Sequence, residues 1–148
     1  QILMTKIIKF IFSVFIWSTI AIIAIANESF YDEALKMYKE KKYDDAKFLF
    51  ERNIVYNPKN VGSYLYLAKI YNEKEDQKKE EQNLDTVLLI EPTNEEAILM
   101  SMKIALEKSN YSKVKKLSGT FAKVCKKLCG ENDSIKQSLK NIDSKNES

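Results

Sequence analysis

Residues 57–94, NPKNVGSYLYLAKIYNEKEDQKKEEQNLDTVLLIEPTN, open on Asn57-Pro58-Lys59-Asn60 and close on Glu91-Pro92-Thr93-Asn94. The two prolines are 92 − 58 = 34 apart. Proline cannot continue a helix, because it lacks the amide hydrogen and its ring clashes with the preceding turn. Between the two breaks, apolar residues recur at helical spacing, Tyr64, Leu67, Ala68 and Tyr71 and then Leu84, Val87 and Leu88, with Lys and Glu between them. A fixed period bounded by helix breaks predicts a repeated helix pair.

Upstream, Tyr43, Ala46 and Phe50 stand 15, 12 and 8 positions before Pro58, after an earlier helical pattern of Phe30, Ala34 and Met37. Downstream, Ile98, Met102 and Ala105 begin a third pattern, and Tyr111 falls two such periods after Tyr43. These positions resemble the tetratricopeptide-repeat (TPR) family, whose unit has this length and places aromatic, small and aromatic residues at these sites. The resemblance runs from Asn27 to about Cys129 and divides it into units 27–60, 61–94 and 95–129. It implies an all-α fold, an α-solenoid of about three helix-turn-helix repeats. The second helix of the middle unit departs from the pattern: Gln77 stands at an aromatic site and Glu80 at an alanine site. In the third unit Val114 and Ser118 replace the small and aromatic residues, and Gly119 is expected to kink or split that helix. Tyr43, Ala46, Tyr64, Ala68 and Tyr71 are assigned to packing.

A helix pair buries too little to stand alone, so a repeat array needs a polar cap. The expected cap is a helix over 130–142, N-capped by Asn132 or Asp133, with Ile135, Leu139 and Ile142 on one face. Residues 143–148 are polar and expected to fray as a tail.

At the other end, Lys6 and Lys9 precede a charge-free run from Phe10 to Ala26 that is apolar on every face. Residues 1–26 therefore read as a signal peptide or a signal anchor, forming a hydrophobic leader helix. Ala24 and Ala26 supply the small-x-small pattern of a signal peptidase site, with cleavage after Ala26. Uncleaved, the run 10–26 just reaches the lower limit of about 17 residues for crossing a bilayer. Either way the lysines stay cytoplasmic and the repeats face the extracytoplasmic side, in a periplasm or anchored to the cytoplasmic membrane.

The chain has no histidine, which removes the commonest neutral-pH base and a common metal ligand. No nucleophile and base pairing, metal site or cofactor motif stands out, so an enzyme is not expected. Net charge is only +3 and Arg52 is the single arginine, which argues against a nucleic-acid partner. The resemblance instead implies an adaptor for a protein or peptide, held in a concave groove lined by the first helix of each repeat. Its register puts Tyr31, Leu35 and Tyr38, then Leu65, Lys69 and Asn72, then Leu99, Lys103 and Leu106 in that groove. The alternative is that several of these stripes are ordinary core. Such a groove suits a segment with one or two apolar anchors and an acidic residue. The family's carboxylate-clamp positions hold Tyr31, Leu35 and Tyr66 here, so a chaperone clamp is not expected.

Two features stand outside the family pattern. Residues 73–96 are mainly acidic, whereas 108–127 hold seven lysines and no acid. That segregation suits partner steering or a self-associating structural subunit, a homo-oligomer of an envelope complex. Cys125 and Cys129, four apart, are expected on one helical face, as structural thiols or bridged as a disulfide outside the cytoplasm.

Overall fold

The computed structural model describes residues 30–146, with side chains through Asn141. The leader, its cleavage site at Ala24 and Ala26, the 10–26 run and the side chain of Ile142 lie outside the described residues. Among the described residues there are seven helices and no strand: α1 over 30–39, α2 Tyr43–Tyr56, α3 Val61–Glu73, α4 Gln77–Ile90, α5 Glu95–Glu107, α6 Tyr111–Val124 and α7 Cys129–Asn146. None of them is long and apolar enough to cross a membrane. The chain divides between Pro58 and Lys59 into two compact units, one holding α1 and α2, the other α3 to α7.

The period found in the sequence is a period of the backbone. Among the described residues, the non-glycine positions with positive φ are Lys41, Glu75 and Ser109, evenly spaced by the same interval as the prolines, and each sits at a corner between paired helices. At every corner the next amide reaches five residues back: Lys42 to the Met37 carbonyl at 2.9 Å, Asp76 to Tyr71 at 2.9 Å and Asn110 to Ala105 at 2.8 Å. The left-handed residue itself donates three back, to Tyr38, Asn72 and Leu106. This is the Schellman arrangement, which satisfies carbonyls that a helix end would leave bare. Helix starts follow the same period. Asn60 and Asn94 accept from the Ser63 and Ala97 amides at 2.8 and 3.0 Å, and Asp76 and Asn110 from the Lys79 and Lys113 amides at 3.2 and 3.1 Å.

In the first unit, stacked Phe30 and Tyr56, edge-on Tyr31 and Phe50, and tilted Tyr38 and Tyr43 have ring centroids 5.6–5.9 Å apart. The start of α1 therefore lies against the end of α2 and the reverse, an antiparallel pair. Ala34 and Ala46 are wholly buried, which lets the two backbones approach.

The second unit packs α3 on α4, α4 on α5, α5 on α6, and α7 on both α5 and α6. Ala68, Leu84, Val87, Ala97 and Ile104 form one core cluster. Ile98, Leu99, Met102, Ala105, Val114, Phe121, Ile135 and Leu139 form another, which draws α7 onto α5 and α6. Of the residues assigned to packing, Ala46, Ala68 and Tyr71 are buried and Tyr43 and Tyr64 half-buried.

Three expectations are corrected. Gly119 does not split its helix into two: α6 runs through it, and a Cβ there would meet nothing within 4 Å. A lone glycine costs a helix only about 1 kcal/mol, which burial of Val114, Ser118 and Phe121 on the same helix outweighs. The cap helix starts at Cys129, so Asn132 is an interior residue, 3% exposed, accepting from Ser118 Oγ at 2.7 Å. The helix also continues to Asn146, through most of the segment expected to fray.

Gly119 and the left-handed Ser109 give a paired prediction. Gly119→Ala should raise unfolding free energy by about 0.5–1 kcal/mol, by limiting the unfolded chain. Ser109→Gly should also be stabilising, by up to about 1 kcal/mol, by relieving a left-handed backbone. Urea midpoints check both, and a fall for Ser109→Gly would show that the Ser109 side chain stabilises its corner.

Candidate functional site

The residues expected to line a groove meet different fates. In the first unit, Tyr31 and Tyr38 pack on Phe50 and Tyr43 of α2, and Leu35 is half-buried. In the second unit, Lys69 pairs with Glu96 at 2.7 Å and lies over the Tyr66 ring at 4.6 Å. Lys103 pairs with Glu131 at 3.6 Å, so these two pairs tie α3 to α5 and α5 to α7. Leu106 is half-buried against the core. Leu99 is a core residue at 7% exposure, which corrects its place on the groove. α5 is flanked by α4, α6 and α7, so little of its circumference is left for a ligand.

Asn72 turns to the acid that replaces the family's alanine. Glu80 is 3% exposed, and Asn72 Nδ2 donates to both carboxylate oxygens at 3.2 Å. Burial pushes the Glu80 carboxyl above its ordinary range, and Glu107 and Glu81 add to the rise, while the Asn72 hydrogen bond opposes it. The folded state thus holds the proton more tightly than the unfolded chain does. Glu80 favours folding below its unfolded pKa, and that contribution is lost as pH rises through the raised folded value. Glu80→Gln should therefore raise the urea midpoint at pH 7 by a few tenths molar and leave it nearly unchanged at pH 3.5. Equal midpoints at both pH values would mean that Glu80 titrates like an exposed acid.

Leu65 is the groove candidate that lines an open cleft of about 700 Å³ in the second unit. Its walls come from α3, the α4–α5 turn with the first turn of α5, and the end of α6 with the loop that follows. Leu65, Val124 and Leu128 are its apolar lining; Glu91, Glu95 and Glu96 together with Lys123, Lys126 and Lys127 supply its charged lining.

The loop after α6 owes its form to the cysteines. Cys125 ends α6 with an extended backbone, ψ 140°, and is disulfide-bonded to Cys129, the first residue of α7, across a Cα separation of 5.3 Å. The two therefore lie on consecutive helices rather than on one helical face, and Gly130 has no positive φ. Within the closed loop the amides of Lys127 and Leu128 donate to Glu95 Oε2 at 3.0 and 3.1 Å, and the Lys126 amide also contributes. The Lys127 amide, foremost, holds the Glu95 carboxyl below its ordinary range against some desolvation. Reading the sequence alone does not single out Glu95, Lys123, Lys126 or Lys127. The one available signal is the lysine-rich run, whose meaning depends on where the loop folds back.

No family model matches the chain, and no curated protein matches it. Solved structures do. The Yersinia enterocolitica type III secretion chaperone SycD, in complex with a peptide of the translocator YopD, is similar with TM-score 0.68 and 14% identity, over 80% of this chain and 93% of that one. The TPR domain of Arabidopsis OM64 is similar with TM-score 0.68 and 18% identity, over 79% and 96%. The second TPR of Spaghetti (RPAP3), bound to the HSP90 peptide SRMEEVD, is similar with TM-score 0.61 and 17% identity, over 67% and 92%. Antiparallel helix pairs, corners repeating at the interval of the prolines and these likenesses agree: this chain has the tetratricopeptide-repeat fold.

Proposed function

We propose that the protein is an adaptor that holds a segment of another polypeptide on the extracytoplasmic side of a membrane. The observation that carries this reading is the open, partly apolar cleft of about 700 Å³ in the second unit, within the range of ligand-binding clefts. Two of the similar structures hold peptides, of YopD and of HSP90, on the same fold. The location rests on Lys6 and Lys9 before the apolar 10–26 run, and on the bridging of the only two cysteines, a bond that persists in oxidising compartments.

The test is a pull-down with the full chain from its native cell fraction in mild detergent, with intact mass of the recovered protein. A polypeptide partner should co-purify, and Leu65→Asp should reduce its capture at least tenfold with helicity unchanged. Undiminished capture by that variant removes the cleft from the proposal. A mass starting at Asn27 means a released adaptor, and a mass retaining the leader in the membrane pellet means an anchored one. Recovery with free thiols from the cytoplasmic fraction overturns the location.

A further inference from the structure

The charges around the cleft are not balanced in the way their number suggests. Glu95 is satisfied by backbone amides, Glu96 by Lys69 at 2.7 Å, and Glu91 accepts from Asn94 Nδ2 at 3.1 Å. None of these side-chain contacts uses Lys123, Lys126 or Lys127. All three are exposed, and none forms an ion pair among the described residues. The acids of the lining are therefore already engaged, while Lys123 and Lys127, and Lys126 beyond its through-space attraction to Glu95, have ammonium groups that no carboxylate pairs at contact distance.

The loop explains how three lysines come to gather there. Lys123 is in the last turn of α6, and the disulfide turns the chain so that Lys126 and Lys127 come back to the same rim. Glu95 takes the amides of that loop, and of the three ammonium groups only that of Lys126 adds a through-space attraction to it. Leu65, Val124 and Leu128 provide an apolar surface beside the charge. Lysines at a low-dielectric wall attract carboxylates more strongly than lysines on an open helix face.

We propose that this cleft recognises an acidic segment of the partner polypeptide, with an apolar side chain against Leu65, Val124 and Leu128 and flanking carboxylates on Lys123, Lys126 and Lys127. The proposal rests on the polypeptide-binding reading above and names the chemistry of the partner. The volume accommodates about four or five residues of an extended chain. The lysines present point charges rather than planar forks, so the site reads the density of carboxylates more than their orientation.

The experiment uses three short synthetic peptides of equal length with a central leucine, flanked by glutamates, by glutamines or by lysines. Each is titrated into the full, oxidised, isotope-labelled chain in mild detergent while amide NMR shifts are followed. The glutamate peptide should shift amides at 65, 91–96 and 123–128, and the glutamine peptide should bind at least tenfold more weakly. Lys123→Ala/Lys126→Ala/Lys127→Ala, three exposed substitutions, should weaken the glutamate peptide about tenfold, and raising salt should do the same to the wild type. Equal binding of the glutamate and glutamine peptides in the cleft overturns the acidic assignment and leaves the polypeptide-binding reading standing. Wild-type affinity in the triple variant overturns the assignment to these lysines. Absence of cleft shifts with all three peptides overturns both readings. Concentration-dependent cleft shifts without peptide, lost in the triple variant, overturn the proposal in favour of a second copy of this chain as the occupant.

Discussion

Phe121→Ala should lower the unfolding free energy by about 3–5 kcal/mol, enough to unfold much of a marginal domain at ambient temperature. Phe121 has no exposed surface and shares its cluster with Ile98 and Met102 of α5, Val114 of α6 and Ile135 and Leu139 of α7. Removing the ring leaves a cavity where three helices converge, and rigid helices cannot collapse fully into it. In a repeat array stability is a sum of local and nearest-neighbour terms, so the terminal helix detaches first. The expected signature is early loss of amide protection in α7 and a lowered urea midpoint. Leu89→Ala, at a residue 82% exposed, should stay within about 0.5 kcal/mol of the wild type. A Phe121→Ala protein with wild-type α7 protection would mean that Ser118, Asn132 and the disulfide hold that helix without the apolar contact.

Opening the Cys125–Cys129 bridge, by reduction or as Cys125→Ser/Cys129→Ser, should cost about 2 kcal/mol on chain entropy alone, since the closed loop is short. Its larger effect is local. The amides of residues 126–128 would no longer be gathered on Glu95, so its carboxyl should rise toward the ordinary value of 4.5. A depressed carboxyl pKa stabilises the fold above the unfolded value, and that stability is lost as pH falls through the folded one. The open-loop protein should therefore lose less stability than the oxidised protein between pH 5 and pH 3 from this group. Titration of the Glu95 side chain by NMR in both forms reads the effect directly. An unchanged titration would show that helix packing sets the loop and the bridge merely follows.

Much of this architecture is legible in the residues alone. Pro58 and Pro92 mark helix breaks because a missing amide is a local fact, and Tyr64, Leu67, Ala68 and Tyr71 mark a buried face because spacing along a helix is regular. The corners at Lys41, Glu75 and Ser109 are not legible, since none is glycine and their conformation is held by hydrogen bonds across the turn. The start of α7 escapes a sequence reading because Asn132 looks like a cap, while the nearby Ser118 gives it an interior partner. Side-chain facing is the weakest link. One residue of helix is a turn of about 100°, and on α5 nearly every direction meets another helix, so Leu99 goes to the core. The lysine rim depends on a loop whose reversal only the folded chain reveals.

The three left-handed corners carry one more implication. The block 42–75 begins immediately after one corner and ends on the next, so both of its ends meet the chain with the same backbone geometry. Excising the block, or copying it in tandem, would join like to like without new torsions at the seam. The corners are thus natural splice points, and lengthening or shortening such a protein in whole modules demands nothing of the junctions and everything of the faces brought together.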